Sequence, residues 1–325
     1  MANYTDIHGI LIETVSSDPS DPVNGQVWYN STEQKLKGFK SNPAGSWAEG
    51  NNLNNSTKRH AGAGTQTAGL SFAGRDGSDN SLNKSEEYDG TSWTEGNNLN
   101  TARYATSGTG TQTAALCIAG RPGPSPTTTN VESYDGTSWT EIADVNTGRE
   151  ALSALGANNT AALAVGGAST PDGAVVESWN GTSWTEVGDL NTARYSLACA
   201  GISTAGLAFG GAPGAKDETE TWNGSAWTEG SNLNTARYAL AGIGLSTAAL
   251  GAAGQSSTAT VAIAETYNGT SWTEGADLNT ARNETQGSTL SSTSAVVFGG
   301  ANPGVVNNSE EFTTPVETTV TFDVS

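Results

Sequence analysis

One phrase returns almost unchanged down the chain, and it constrains the fold more than any single motif does. Its fullest copy is Glu177-Ser178-Trp179-Asn180-Gly181-Thr182-Ser183-Trp184-Thr185-Glu186, followed by Leu190-Asn191-Thr192-Ala193-Arg194. The anchoring Trp falls at 47, 93, 139, 184, 227 and 272, at spacings of 46, 46, 45, 43 and 45 residues. An Arg follows each one, at 59, 103, 149, 194, 237 and 282. A small residue and a Gly precede the next copy, as Ala73-Gly74, Ala119-Gly120, Gly166-Gly167, Gly210-Gly211, Ala253-Gly254 and Gly299-Gly300. A unit this short cannot bury its apolar face alone, so the copies must stack on one another.

Each unit reads as strands. The dipeptides Asp89-Gly90, Asp135-Gly136, Asn180-Gly181, Asn223-Gly224 and Asn268-Gly269 predict two-residue hairpin turns with positive φ, so two strands flank each of them. Upstream runs such as Ala114-Ala115-Leu116-Cys117-Ile118 and Ala205-Gly206-Leu207-Ala208-Phe209 are short, apolar and closed by small residues and Gly, as buried inner strands should be. A weaker strand after each Arg makes four strands per unit, and nothing has helical periodicity. Six such units, with Gly-Gly, then an aromatic, then Trp, resemble the kelch family of β-propellers over roughly residues 45 to 313. The resemblance implies an all-β, six-bladed kelch-like propeller. Trp47 precedes the first Gly pair, whereas the last unit, ending near Phe312, has no Trp of its own. Gly45–Glu49 is therefore expected to supply the outer strand of the last blade and close the ring. The domain reading is 1–44 as a linker with a small β-hairpin and 45–325 as the propeller.

Composition narrows the function. The 325 residues carry a formal charge of −19, which repels a phosphate backbone and argues against nucleic acid. No window approaches a membrane span, and the opening residues lack the basic and apolar regions of a secretion signal, so no membrane insertion and a cytoplasmic start are expected. Cys117 and Cys199 are too few for a disulfide framework and read as buried free thiols. With His8 and His60 the only imidazoles, no catalytic triad or metal-ligand spacing can be assembled, and neither a cofactor nor a metal is expected.

The aligned Glu86, Glu132, Glu177, Glu220, Glu265 and Glu310 could ring a cation, but an Arg at the same phase makes buried Glu–Arg pairs between blades the simpler expectation. One Trp per blade at fixed phase likewise reads as inter-blade core rather than as a carbohydrate platform. Scaffold positions repeat while binding positions diverge. The stretches between each Gly pair and the aligned Glu differ sharply and should emerge on one face. Arg75, Asp76, Arg121, Asp172, Lys216, Asp217 and Asn302 are the candidate partner-binding residues of that rim.

Residues 1–44 stand outside the repeat. Asp18-Pro19-Ser20-Asp21-Pro22-Val23-Asn24-Gly25 reads as a turn-rich linker, and Gln26-Val27-Trp28-Tyr29-Asn30 with Lys35-Leu36-Lys37-Gly38-Phe39 as a hairpin. This segment is similar to a short adaptor near the start of many tailed-bacteriophage virion proteins, and the Asn-Gly-Thr-Ser-Trp-Thr-Glu repeat is similar to kelch-like proteins of such phages. The resemblance implies a non-enzymatic virion structural protein assembled in the host cytoplasm, a fibre or tail-appendage subunit. It would be anchored to other virion proteins through residues 1–44, homo-oligomeric, and would present the propeller to host surface glycan. The alternatives are a capsid decoration protein that binds only virion subunits, and an enzyme acting on surface glycan.

Overall fold

The structure is a computed structural model and describes residues 12–23, 25–41, 45–124, 126–168, 173–314 and 317–322. Among these there are seven four-stranded sheets and no helix. The chain divides into two compact units, residues 1–46 with 314–325, and residues 47–313.

The larger unit holds six of the sheets. In blade 1, β5 (Ala61–Thr65), β6 (Ala68–Phe72), β7 (Ser85–Tyr88) and β8 (Trp93–Glu95) run antiparallel in sequence order. Blades 2 to 5 repeat this at 107–141, 153–186, 198–229 and 241–274. Blade 6 takes three strands from 286–313 and its fourth from β4 (Ser46–Gly50), the Trp47 strand. The innermost strands neighbour one another in cyclic order, blade 6 returning to blade 1. The unit is a six-bladed β-propeller.

Small residues make the centre possible. A Cβ at Gly62 would lie 2.7 Å from the carbonyl oxygen of Gly287, and one at Gly242 2.5 Å from that of Cys199. The Trp side chains pack between blades: Trp139 meets Phe72 at 4.8 Å between ring centroids, Trp93 meets Phe298 at 4.8 Å and Trp272 meets Phe209 at 4.7 Å.

The blades are latched by backbone. The second Gly of each pair donates its N–H to the connector of the next blade, from Gly74 to the Arg103 carbonyl (2.8 Å) through Gly300 to the Thr57 carbonyl (2.8 Å). These second glycines have φ between 101° and 114°, which L side chains avoid, and a Cβ at Gly74 would strike Thr57 Oγ1 at 2.3 Å. The first member of each pair sits near φ 54° to 64°, in the left-handed region that Ala occupies at modest cost. That is why the first member varies between Ala and Gly and the second does not.

Three sequence expectations change. The Asp-Gly and Asn-Gly turns are four-residue loops such as Asp89–Ser92: only the Gly has positive φ, and the Asp or Asn side chain caps the two N–H groups beyond it. The first unit is more than a hairpin. Its strands β1 (Glu13–Val15, parallel to its neighbour), β2 (Val27–Asn30) and β3 (Lys35–Ser41) join the last strand, Glu317–Phe322, in a mixed sheet. The larger unit accordingly ends at 313 rather than 325. Trp28 is fully buried in the first unit and donates its Nε1–H to Asp18, which also receives Asn30 and Lys37. Those hydrogen bonds, Lys37 foremost, lower the Asp18 pKa to about 2.

Candidate functional site: the rim face and the axial cavity

The connector entering each blade ends beside the loop between its second and third strands, through bridges such as Tyr104 with Arg121 and Asn283 with Ala301. The divergent loops and the start of every inner strand therefore share one face. At its centre six residues, Arg59, Ala105, Ala151, Ser196, Ala239 and Glu284, all adopt φ of 50° to 53°. Each donates its N–H to the carbonyl of the corresponding residue in the preceding blade, at 2.7 to 3.0 Å, and the chain of six bonds closes on itself. Arg59 and Glu284 add an ion pair of 2.6 Å across the junction of blades 1 and 6.

This ring surrounds an axial cavity of about 190 Å3. Leu152, Leu197 and Leu240 form one part of its wall, and His60, Thr106 and Thr285 the other. Near the opposite end of the inner strands Thr289 bridges blades, its N–H to the Gly64 carbonyl and its hydroxyl to that of Gly110, both 3.0 Å. Arg59, Glu150, Tyr195 and Glu284 line the cavity as well.

Six of the seven rim candidates lie in described loops of this face; Asp172 lies outside the described residues. Only Arg75 and Arg121 are brought together, in a groove between blades 1 and 2 that Tyr104, Pro122 and Pro124 help line. The Arg75 guanidinium lies 3.9 Å from the Tyr104 ring centroid and 3.6 Å from Asp79, while Arg121 pairs with Glu150 at 3.1 Å. Asp76 caps the N–H groups of Ser78 and Asn80, a structural task within its own loop. Lys216 pairs with Glu218, the Asp217 carbonyl receives the Leu233 N–H, and Asn302 donates to the Ala281 carbonyl. The last three join neither groove nor cavity.

The aligned glutamates bind the connectors. Glu132, Glu177, Glu220, Glu265 and Glu310 each pair with a buried Arg: 103, 149, 194, 237 and 282. Each also receives N–H groups of the Asn and Thr just before that Arg, as Glu265 does from Asn234 (2.7 Å) and Thr235 (3.3 Å). Blade 1 departs from the expected sixth pair. Arg59 comes two residues late and belongs to the axial ring; Thr57 holds the Arg position, and Glu86 is satisfied by the backbone and side-chain N–H groups of Asn54 and Asn55. No group of acidic, His or Cys side chains among the described residues has the arrangement of a metal site. Both thiols are buried; burial raises the Cys199 pKa to about 12 and moves Cys117 upward, so neither is a nucleophile at neutral pH. His8 lies outside the described residues.

The ring column is the one that loop-centred reading misses, although it diverges from unit to unit just as the loops do. His60 belongs to the next column, where blades 3, 4 and 5 carry Leu152, Leu197 and Leu240. It has no exposed surface, and neither ring nitrogen makes a well-formed hydrogen bond. Burial lowers its pKa to about 3, against the opposing pull of the Phe298 carbonyl. The unfolded imidazole takes up its proton near 6.5, so stability is complete above that pH and is lost as pH falls toward 3. Between pH 7 and pH 5 the loss from this group is about 2 kcal/mol. In urea titrations at the two pH values, His60→Leu should remove that increment of acid sensitivity.

No protein-family model and no curated protein matches the chain. Solved structures do: 365 chains match, a fold shared so widely that it fixes architecture without fixing activity. One of them, the structure of YjhT, aligns with TM-score 0.67 at 13% identity over 82% of this chain and 99% of that one. At this identity the likeness is one of fold.

Proposed function

We propose that the chain is a non-enzymatic virion structural protein of a tailed bacteriophage, a kelch-like fibre or tail-appendage subunit whose rim face meets the host surface. The observation that carries this reading is the gathering of the divergent loops and the axial cavity on one face of a scaffold that otherwise repeats. The first unit, with its own buried Trp28 and Asp18–Lys37 cluster, serves as the anchor to other virion proteins. Surface glycan is the expected partner, and several copies would multiply a weak contact.

The two roles should separate. Reversing the charge of Arg75, Arg121 and Lys216 should weaken binding to host cells about tenfold while particles still incorporate the subunit, since exposed ion pairs contribute little to folding. Removing residues 1–45 should abolish incorporation while the free propeller still binds cells. If the rim variant instead loses incorporation and neither form binds cells, the chain is a capsid decoration protein.

A further inference from the structure

We propose that Asn180, Asn223 and Asn268 are sites of spontaneous deamidation, and that the folded propeller accepts the aspartate they become. All three are exposed, each precedes a Gly, and each occupies the same position in the loop between a blade's third and fourth strands. The side-chain carbonyl of Asn180 accepts the N–H groups of Thr182 and Ser183, both at 2.9 Å, which draws electron density from the amide carbon. Asn223 and Asn268 are held the same way. The N–H of the following Gly makes no backbone hydrogen bond among the described residues, and Gly offers no Cβ to hinder its approach.

The chemistry needs only water. The Gly nitrogen attacks the Asn Cγ, a C–N bond forms, the C–NH2 bond breaks, and ammonia leaves with the proton from the Gly nitrogen. Water then opens the five-membered imide. Cleavage at the side-chain carbonyl gives aspartate, and cleavage at the backbone carbonyl gives isoaspartate, with one more backbone carbon in the loop.

Blades 1 and 2 show that aspartate fits. Asp89 caps Thr91 and Ser92 at 2.8 and 2.7 Å, and Asp135 caps Thr137 and Ser138 at the same distances. Its second oxygen also accepts the Ser hydroxyl, at 3.3 Å in blade 1 and 3.2 Å in blade 2. The backbone N–H groups of Ser92 and Thr91 hold the Asp89 carboxyl below its ordinary range, so the loop favours the charged form. Isoaspartate would lengthen the loop against a fixed aromatic pair, Trp179 with Trp184 in blade 3. Full conversion to aspartate adds three negative charges to a chain already at −19 and makes the loops of blades 3, 4 and 5 chemically like those of blades 1 and 2.

The test is incubation of the full chain in mildly alkaline buffer at 37 °C, followed by peptide mapping. The expected result is a gain of about one dalton in the peptides holding Asn180, Asn223 and Asn268, at least about tenfold faster than for Asn100, Asn146 and Asn191, whose amides bind buried glutamates. The fourth Asn-Gly pair, Asn24-Gly25, is read on its own peptide. The triple variant Asn180→Asp, Asn223→Asp, Asn268→Asp should melt with the parent. Rates equal to those of the internal asparagines would overturn the reactive-site proposal, and a triple variant melting well below the parent would overturn acceptance of the product.

Discussion

Removing residues 1–50 should lower the melting temperature of the propeller by about ten degrees or more, whereas removing 1–45 should leave it nearly unchanged. The longer deletion strips the fourth strand from blade 6 and exposes an unpaired sheet edge. It also removes Trp47, which is buried, packs 5.1 Å from Phe312 between ring centroids and donates its Nε1–H to the Ala276 carbonyl in the connector from blade 5. Loss of a buried Trp alone costs about 3–5 kcal/mol. In a domain this large that corresponds to roughly 2–4 °C per kcal/mol. Calorimetry of the two deletions checks it, with Trp47→Ala as the smallest version of the same lesion. Equal melting of both deletions would show that the ring does not depend on this strand.

The buried ion pairs should show an asymmetry that blade 1 foretells. Glu265→Leu leaves the Arg237 guanidinium without its 2.6 Å partner and orphans the N–H groups of Asn234 and Thr235, at a cost of about 3–5 kcal/mol. Arg237→Thr leaves a carboxylate, and blade 1 already holds such a carboxylate without a guanidinium. There, Asn55 stands where the other blades carry Thr, and its side-chain N–H reaches Glu86 at 3.0 Å. Combining Arg237→Thr with Thr235→Asn copies that arrangement into blade 5 and should cost less than half as much as Glu265→Leu. Chemical denaturation of the two variants reads the difference directly. If the transplant is the worse of the two, the guanidinium rather than the glutamate organises the connector.

Much of this architecture is legible in the repeat. Period, Trp phase and the offset between the Gly pairs and the Trp strands place six blades and the closing strand, because stacked units repeat whatever they bury. The Glu–Arg pairs are legible where the register is strict and misleading where it slips. Arg59 looks like the sixth partner, yet it follows Trp47 by 12 residues where every other Arg follows its Trp by 10, and the backbone latch from Gly300 to Thr57 places it two residues too far along. The loop geometry after Tyr88 is not legible, since Asp-Gly marks a turn without fixing its length. The pairing of β3 with Glu317–Phe322 joins segments almost three hundred residues apart in sequence, and no local pattern announces it. On the rim, divergence marks the exposed loops but not which of them meet: Arg75 and Arg121 share a groove, while Lys216 pairs within its own loop and Asn302 is held by the Ala281 carbonyl of the connector.

The axial ring of N–H···O=C bonds asks only for a backbone N–H and a left-handed φ, which excludes Pro and disfavours β-branched residues. Within that limit Arg, Ala, Ser and Glu all take the same φ and make the same bond, so unbranched side chains of different size and charge are displayed on one scaffold. The cavity mouth can therefore be rewritten one blade at a time, in an evolving lineage or at the bench, without renegotiating the fold. Six addressable positions around one axis, each tolerant of charge or none, make this face a panel on which new specificity can be composed while the propeller beneath it stays the same.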